Sequence, residues 1–227
     1  MAQLLQQMRR MKSQLYDALV IGAGQGGALA KSLAQAGRKT TLIERRWLGG
    51  SCINWGCTPT KTMIASARIA HLMQRAADFG ITTSQPQIDL THIRQRKRDM
   101  VTDFRGDYGD SVGSVDNLDI ICGEASFCDG TTIQIELQNG ETQHLQAETI
   151  VIATGACPTK PAIPGLEESG YLAAETLMEI DEVPEHLIIL GGGYIAMEFA
   201  QMFRGFGAEV TIVQRGKQLL SREDNDV

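Results

Sequence analysis

Apolar residues along this chain fall in blocks of two periods. Continuous runs at residues 16–21, 41–44, 149–153, 187–190 and 210–213 carry no polar alternation, as strands of a parallel sheet covered on both faces do. Helical spacing fills the stretches between them. Ala28, Leu29, Leu33 and Ala36 predict a helix over 27–36. Met63, Ile64, Ala67, Ala70 and Leu72 predict a second over 60–77, and Leu90, Ile93, Met100, Val101 and Phe104 a third. Arg94, Arg96, Lys97 and Arg98 read as the solvated face of that third helix. A further helix is predicted over 194–206. After a strand at 118–122, Ile133, Ile135 and Leu137 alternate with polar residues. Asn139-Gly140 and a second polar strand through Leu145 follow. Asn-Gly between such runs is a hairpin signal, because both residues tolerate positive φ.

The order is strand–helix–strand over 16–44 and again over 187–213, the pattern of an α/β fold. Pro158, Pro161 and Pro164 mark an exposed crossover and a boundary near residue 160. The expected organisation is an N-terminal extension over 1–15, one domain over 16–160 and the beginning of another over 161–227.

Charge and composition narrow the function. Lys and Arg number 21 against 27 Asp and Glu, a formal net charge of −6, which argues against a nucleic-acid binder. No apolar run approaches the ~20 residues needed to cross a bilayer, so no membrane partner is expected. The first residues are polar and basic and lack the apolar centre of a signal peptide. They read as a frayed extension, with Met8 and Met11 as alternative starts. Five cysteines, an odd number at irregular spacing, do not make a secreted disulfide framework, and the expected location is the cytoplasm.

Two glycine clusters follow strands directly and open helices. Gly22, Gly24 and Gly27 match GxGxxG. The first glycine permits the tight turn, the second lets backbone approach a pyrophosphate, and the third permits close packing of helix on strand. The helix N-terminus then offers unpaired N–H groups to the phosphates. Glu44 lies 22 residues after Gly22, at the end of the second strand, where a carboxylate accepts from ribose hydroxyls. The plain alternative is a structural glycine turn. Gly191, Gly193 and Ala196 repeat the pattern as GxGxxA. There the second strand ends in Val213-Gln214-Arg215, with a guanidinium in place of a carboxylate. Arginine pairs well with phosphate, which favours a 2′-phosphorylated cofactor, NADPH over NADH. Lys217 and Arg222 are possible helpers, and a surface arginine is the plain alternative.

Cys52 and Cys57 stand five apart within residues 49–61, GGSCINWGCTPTK. Cys122, Cys128 and Cys157 supply no second close pair of the kind zinc takes, so redox chemistry is the better reading and no metal site is expected. In a regular helix, positions i and i+5 are roughly 8–9 Å apart at Cα, beyond the ~7 Å limit of a disulfide. A bridged pair therefore requires a broken helix, which Gly56 and Pro59 allow. A helix beginning near Thr60 would favour the thiolate of Cys57.

This segment resembles the redox-active disulfide segment of the pyridine nucleotide–disulfide oxidoreductases, which include dihydrolipoamide dehydrogenase, glutathione reductase and mercuric reductase. Residues 152–155 (IATG) look like the family's second flavin-contact motif. Residues 123–127 (GEASF) look like its adenine-side turn, and 191–200 (GGGYIAMEFA) like its NAD(P) turn. The resemblance covers 16–227 in the family's order, and the wording after Cys57 is most like the mercuric reductase-like branch. It implies an FAD-binding Rossmann-like domain with a small β-meander over 16–160, carrying the redox disulfide. The start of a second Rossmann-like domain, for NAD(P), then occupies 161–227.

The roles that the resemblance implies are specific. FAD would lie on Gly22, Gly24 and Gly27, with Glu44 on its ribose and Gly50, Ser51, Lys61, Ala125, Thr154 and Gly155 along it. Cys57 would be the flavin-proximal, charge-transfer thiol, and Cys52 the interchange thiol that meets a small-molecule or disulfide substrate. Lys61 would pair with Glu198 beside the flavin. NAD(P)H would lie on Gly191, Gly193, Tyr194, Glu198 and Arg215.

Family members are much longer than this chain, so the resemblance implies a truncated N-terminal half. The dimerisation domain, with its histidine–glutamate pair, would be missing; His71, His92, His144 and His186 match no such motif. A homodimer is expected of the full-length family. Alone, this chain is expected to be poorly stable or without turnover. The competing readings are a non-catalytic flavin-binding remnant and an NAD(P)-only dehydrogenase, the latter leaving the cysteine segment without a role.

Overall fold

The computed structural model describes residues 14–224 and 226, so most of the expected N-terminal extension lies outside the described residues. The elements are β1 (Gln14–Ile21), α1 (Gln25–Gln35), β2 (Thr40–Glu44), α2 (Gly50–Asn54), α3 (Cys57–Gln74), α4 (Leu90–Gly113), β3 (Leu118–Phe127), β4 (Thr132–Leu137), β5 (Thr142–Ile152), α5 (Ala174–Leu177), β6 (His186–Leu190), α6 (Tyr194–Phe206) and β7 (Glu209–Val213). A 3₁₀ turn, Ala76–Phe79, follows α3. The chain divides into two compact units. One takes the residues up to Asn54 with Thr102–Pro158, the other Trp55–Val101 with the chain from Thr159 onward. One division falls near residue 160; the other two have no counterpart in the sequence pattern.

In the first unit β1 lies between β2 and β5, parallel to both, and β2 is parallel to β3. β3–β4 and β4–β5 are antiparallel, and the five strands close on themselves. Val20 and Leu42 join one buried cluster, with Ala30 and Ala34 of α1 and Val112 of α4. Their neighbours Leu19 and Ile43 join the opposite one, with Ile133, Ile135 and Leu145. Alternate residues point to opposite faces and both faces are covered, which is why these strands read as unbroken apolar runs.

Two expectations need correction here. The strand at 118–122 runs on to Phe127, so GEASF is strand and not a turn. The strand through Leu145 and the strand at 149–153 are one element, β5. Each long strand changes partner midway. β3 pairs with β2 as far as Cys122 and with β4 from Gly123 onward. An added Cβ at Gly123 would lie 2.6 Å from Ile135 Cγ2 and 2.7 Å from the Glu136 carbonyl oxygen, so the pivot is glycine. Exposure changes with the partner, and the polar residues at each change imitate a break.

In the second unit β6 and β7 are parallel, from His186↔Glu209 to Leu190↔Val213. α6 buries Phe199, Met202, Phe203 and Phe206, an i, i+3, i+4, i+7 stripe, with Met63 and Ala67 of α3 and Leu177. Gly205 lets α3 approach, since a Cβ there would be 3.1 Å from the Ala67 carbonyl oxygen. Ile188, Leu190 and Val213 remain exposed.

The basic run in α4 is not the solvated face its composition suggests. Lys97 is 3% exposed and ion-pairs with Glu179, which Arg98 also holds. Arg94 pairs with Asp181, and Arg96 donates to the Thr62 carbonyl and Ser66 Oγ. The acceptors lie far along the chain, out of reach of local pattern. Burial pushes the Lys97 ammonium below its ordinary range, while Glu179 opposes the shift. Glu179→Gln removes the countercharge of a buried cation. The expected cost is about 2 kcal/mol, less than for a fully buried pair because Glu179 stays partly in water. Denaturant midpoints check it, and an unchanged midpoint contradicts it.

Candidate functional site

The first glycine cluster forms the turn from β1 into α1. Gly22 has φ +106°, and a Cβ on it would lie 2.2 Å from the carbonyl oxygen of Ala153, just past the end of β5. Thr154 therefore adjoins the turn, with Gly155 beyond it at φ +71°. The Glu44 carboxylate closes the other side. Its Oε2 accepts from the Ala23 N–H at 2.9 Å and its Oε1 from the Arg46 N–H at 2.9 Å. Each carboxylate oxygen keeps capacity for another donor. Gly24 caps α1 with no side-chain cap, and no acidic residue stands in the first turn. That helix end is thus left for an anion.

The packing glycine is not the expected one. At Gly26 a Cβ would meet Ala153 Cβ at 2.7 Å and Val20 Cγ1 at 2.8 Å, so Gly26 brings helix onto strand. At Gly27 it would meet the Tyr108 hydroxyl of α4 instead.

The cysteine segment starts against this turn. The Gly49 N–H donates to the Ala23 carbonyl at 3.1 Å, and a Cβ on Gly50 would lie 2.4 Å from Gly24 Cα. Ser51 and Cys52 follow in α2, both exposed. Asn54 closes α2 and is buried. Its Nδ2 donates to the Leu48 and Gly50 carbonyls at 3.0 and 2.8 Å, and its Oδ1 accepts from Arg105 Nε at 2.9 Å. The Arg105 guanidinium lies 4.1 Å from the centre of the Trp47 ring. Trp55-Gly56 interrupts the helix between the two cysteines. Cys57 is then the first residue of α3, three positions before the expected start. Pro59 fits this first turn because its missing N–H would have no helical partner there.

In the second unit the structure brings Lys61 of α3 and Glu198 of α6 into an ion pair, with Glu198 partly buried. Gly191 turns β6 into α6 at φ +103°, and Gly193 is the cap of α6, again without a side-chain cap. Added Cβ atoms at Gly191 and Gly193 would meet nothing within 4 Å, while Gly192 is crowded by Leu219 and Gln214. Tyr194 is exposed at the start of α6, and Arg215 is exposed just beyond β7.

Ala125 stands apart from the turn residues: it lies in β3 opposite Ile135 and packs on the same cluster. Sequence reading missed Tyr108, Arg105, Asn54 and Trp47. The available signal was the spacing of Val101, Arg105, Tyr108 and Val112 in α4, which puts them on one helical stripe. Among the described residues no group of three His, Cys, Asp or Glu is arranged to hold a metal ion. Among them, too, no helix is long and apolar enough to cross a membrane.

Comparison with known proteins bears on all of this. Residues 16–227 match the family described as pyridine nucleotide-disulphide oxidoreductase. The chain is 37% identical over 214 residues to a mercuric reductase of Streptomyces lividans, covering 93% of this chain and 45% of that one. It is 35% identical over 219 residues to a dihydrolipoyl dehydrogenase of Chlamydia muridarum, covering 95% and 46%. Among solved structures it is similar to the Cu(II) complex of the HOCl-induced flavoprotein disulfide reductase RclA of Escherichia coli. The TM-score is 0.80 at 36% identity, covering 94% of this chain and 45% of that one. The chain thus spans a little under half the length of these relatives.

Proposed function

The chain belongs to the pyridine nucleotide-disulphide oxidoreductase family, and from that premise we propose that it carries the dinucleotide sites and cysteine pair of an FAD-dependent NAD(P)H–disulfide oxidoreductase. One observation carries the reading. The segment bearing the cysteines begins in backbone contact with the first dinucleotide turn, through Gly49 on Ala23 and Gly50 on Gly24. A redox pair needs that adjacency to its electron donor; a metal site or a structural turn does not.

The residues fit a dinucleotide. Gly22 makes the tight turn against Ala153, and Gly27 admits Tyr108 beside the turn. Gly24 caps α1 without a side chain, so that the helix end offers N–H groups to phosphate, and Glu44 offers acceptors to ribose. Gly50, Ser51, Ala125, Thr154 and Gly155 complete the proposed flavin set. When bound, FAD supplies a two-electron relay between nicotinamide and thiol. Lys61, held by Glu198, is the cation that the family resemblance assigns to the reduced flavin. Reduction of a Cys52–Cys57 disulfide consumes two electrons and two protons and yields two thiols. The Cys52 thiolate attacks a disulfide substrate and releases one thiol. Cys57 then attacks the mixed disulfide, releases the second thiol and restores the bridge.

Gly191, Gly193, Tyr194, Glu198 and Arg215 form the proposed nicotinamide-nucleotide set. Arg215 favours NADPH, because its guanidinium stands where an NAD-specific strand ends in a carboxylate. The substrate class is a small molecule or a disulfide and the proposed location the cytoplasm, with the homodimer belonging to the full-length members of the family.

The test is anaerobic. The 227-residue chain reconstituted with FAD is expected to be yellow and to bleach on NADPH, faster than on NADH. A yellow protein indifferent to both is a flavin-binding remnant. A colourless protein overturns the flavin site.

A further inference from the structure

The third glycine of the first turn has an unexpected neighbour. A Cβ at Gly27 would sit 1.8 Å from the Tyr108 hydroxyl oxygen and 3.0 Å from its Cζ, with no strand atom among its nearest contacts. The same hydroxyl donates to the carbonyl of Gly24 at 3.4 Å. Gly24 is the cap of α1, so its peptide orients the first N–H groups of that helix. The ring is partly buried beside α1, in the cluster that also holds Val112 and Ala30. Glu44, on the far side of the same turn, holds the Ala23 N–H. Residues 23 and 24 are thus held by a carboxylate from β2 and a phenol from α4.

We infer that Tyr108 is a positioning residue for the flavin pyrophosphate: it fixes the Gly24 peptide, and Gly27 lacks a side chain in order to admit it. The inference rests on the dinucleotide reading and adds to it a residue outside the glycine motif. Burial pushes the Tyr108 phenol up, and the Glu44 carboxylate pushes it further, so the hydroxyl remains a donor throughout the working range. Helix-on-strand packing, the ordinary duty of the third glycine, falls to Gly26 in this chain.

The test is a double-mutant cycle on the full chain, read by FAD affinity and by thermal midpoint. Tyr108→Phe keeps the ring and is expected to weaken FAD binding by about three- to tenfold, the worth of one hydrogen bond, with a nearly unchanged midpoint. A merely structural tyrosine would lower both. Gly27→Ala is expected to weaken FAD binding by more than about tenfold, because the new methyl evicts the hydroxyl. In the Tyr108→Phe background the same methyl meets ring carbons at 3.0 and 3.6 Å in place of an oxygen at 1.8 Å, so Gly27→Ala is expected to cost several-fold less there than in the wild-type background. Equal cost of Gly27→Ala in both backgrounds overturns the inference, as does unchanged FAD affinity in Tyr108→Phe. Wild-type chain that takes up no FAD overturns the flavin role together with the dinucleotide reading. The four midpoints then still show whether Tyr108 and Gly27 are coupled, so the two failures remain distinguishable.

Discussion

Cys57→Ser is expected to leave FAD uptake within about twofold of wild type and to lower disulfide reduction by at least about a thousandfold. Serine suits the first position of α3, which has its cap in Gly56 and its first helical bond from the Thr60 N–H to the Gly56 carbonyl. The helix survives, but a hydroxyl cannot close a disulfide or resolve a mixed one. Cys52→Ser is expected to lose as much, because it removes the thiol that first attacks. The double variant should be no worse than either single one, since the two groups act as a unit. The measurement is NADPH-dependent reduction of a small disulfide by a protein of the relatives' length that carries these residues, beside anaerobic bleaching of the flavin, which both variants should retain. A single variant that keeps a tenth of the wild-type rate contradicts the assignment.

Gly22→Ala is expected to be the most damaging small change in the first unit. The new methyl would lie 2.2 Å from the Ala153 carbonyl oxygen and 2.7 Å from its carbon. Both are backbone atoms, and the strands around them are pinned. The Ala153 N–H donates to the Ile21 carbonyl at 2.8 Å, and the Gly22 N–H to the Ile43 carbonyl at 2.8 Å. To these clashes is added a φ of +106°, which an L side chain resists. The expected loss exceeds about 3 kcal/mol, with FAD binding lost alongside. Gly191 is the internal control. It has nearly the same φ, +103°, and open space around its Cβ position. Gly191→Ala is therefore expected to cost only the backbone strain, about 1–2 kcal/mol. Thermal unfolding of the two variants decides, and equal losses would show that sterics at the end of β5 play no part.

How far the sequence foretold this molecule differs by kind of feature. The strand runs around Val20 and Leu42 and the glycine turn after the first of them are legible, because burial on both faces erases alternation. The runs around Ile189 and Ile212 are equally apolar in sequence, although one face of each strand is exposed. The stripe of α6 is equally plain, since Phe199, Met202, Phe203 and Phe206 repeat with the helix. Glu44 is legible because its place is fixed by distance from Gly22. Long strands that change partner are not, since the pattern through Gly123 and Gln146 shifts where the neighbour shifts. Nor are side chains whose partners lie far along the chain. Lys97 on Glu179, Arg105 on Asn54 and Tyr108 on Gly24 depend on which helix arrives beside which turn. A one-dimensional pattern reports a residue's own burial and says nothing of who provides it.

The interleaving of the two units bears on biogenesis. The apolar stripe of α3, with Met63 and Ala67, shares its cluster with Leu90 of α4 but draws the larger part of its cover from Phe199, Met202, Phe203 and Phe206 on α6. A nascent chain leaving the ribosome must therefore carry most of that stripe uncovered while the whole of β3, β4 and β5 is still being made. Contacts that close so late in translation are slow to form and expose sticky surface in the interval. Yield in a cell should thus respond to chaperone supply more steeply than the stability of the finished fold would suggest.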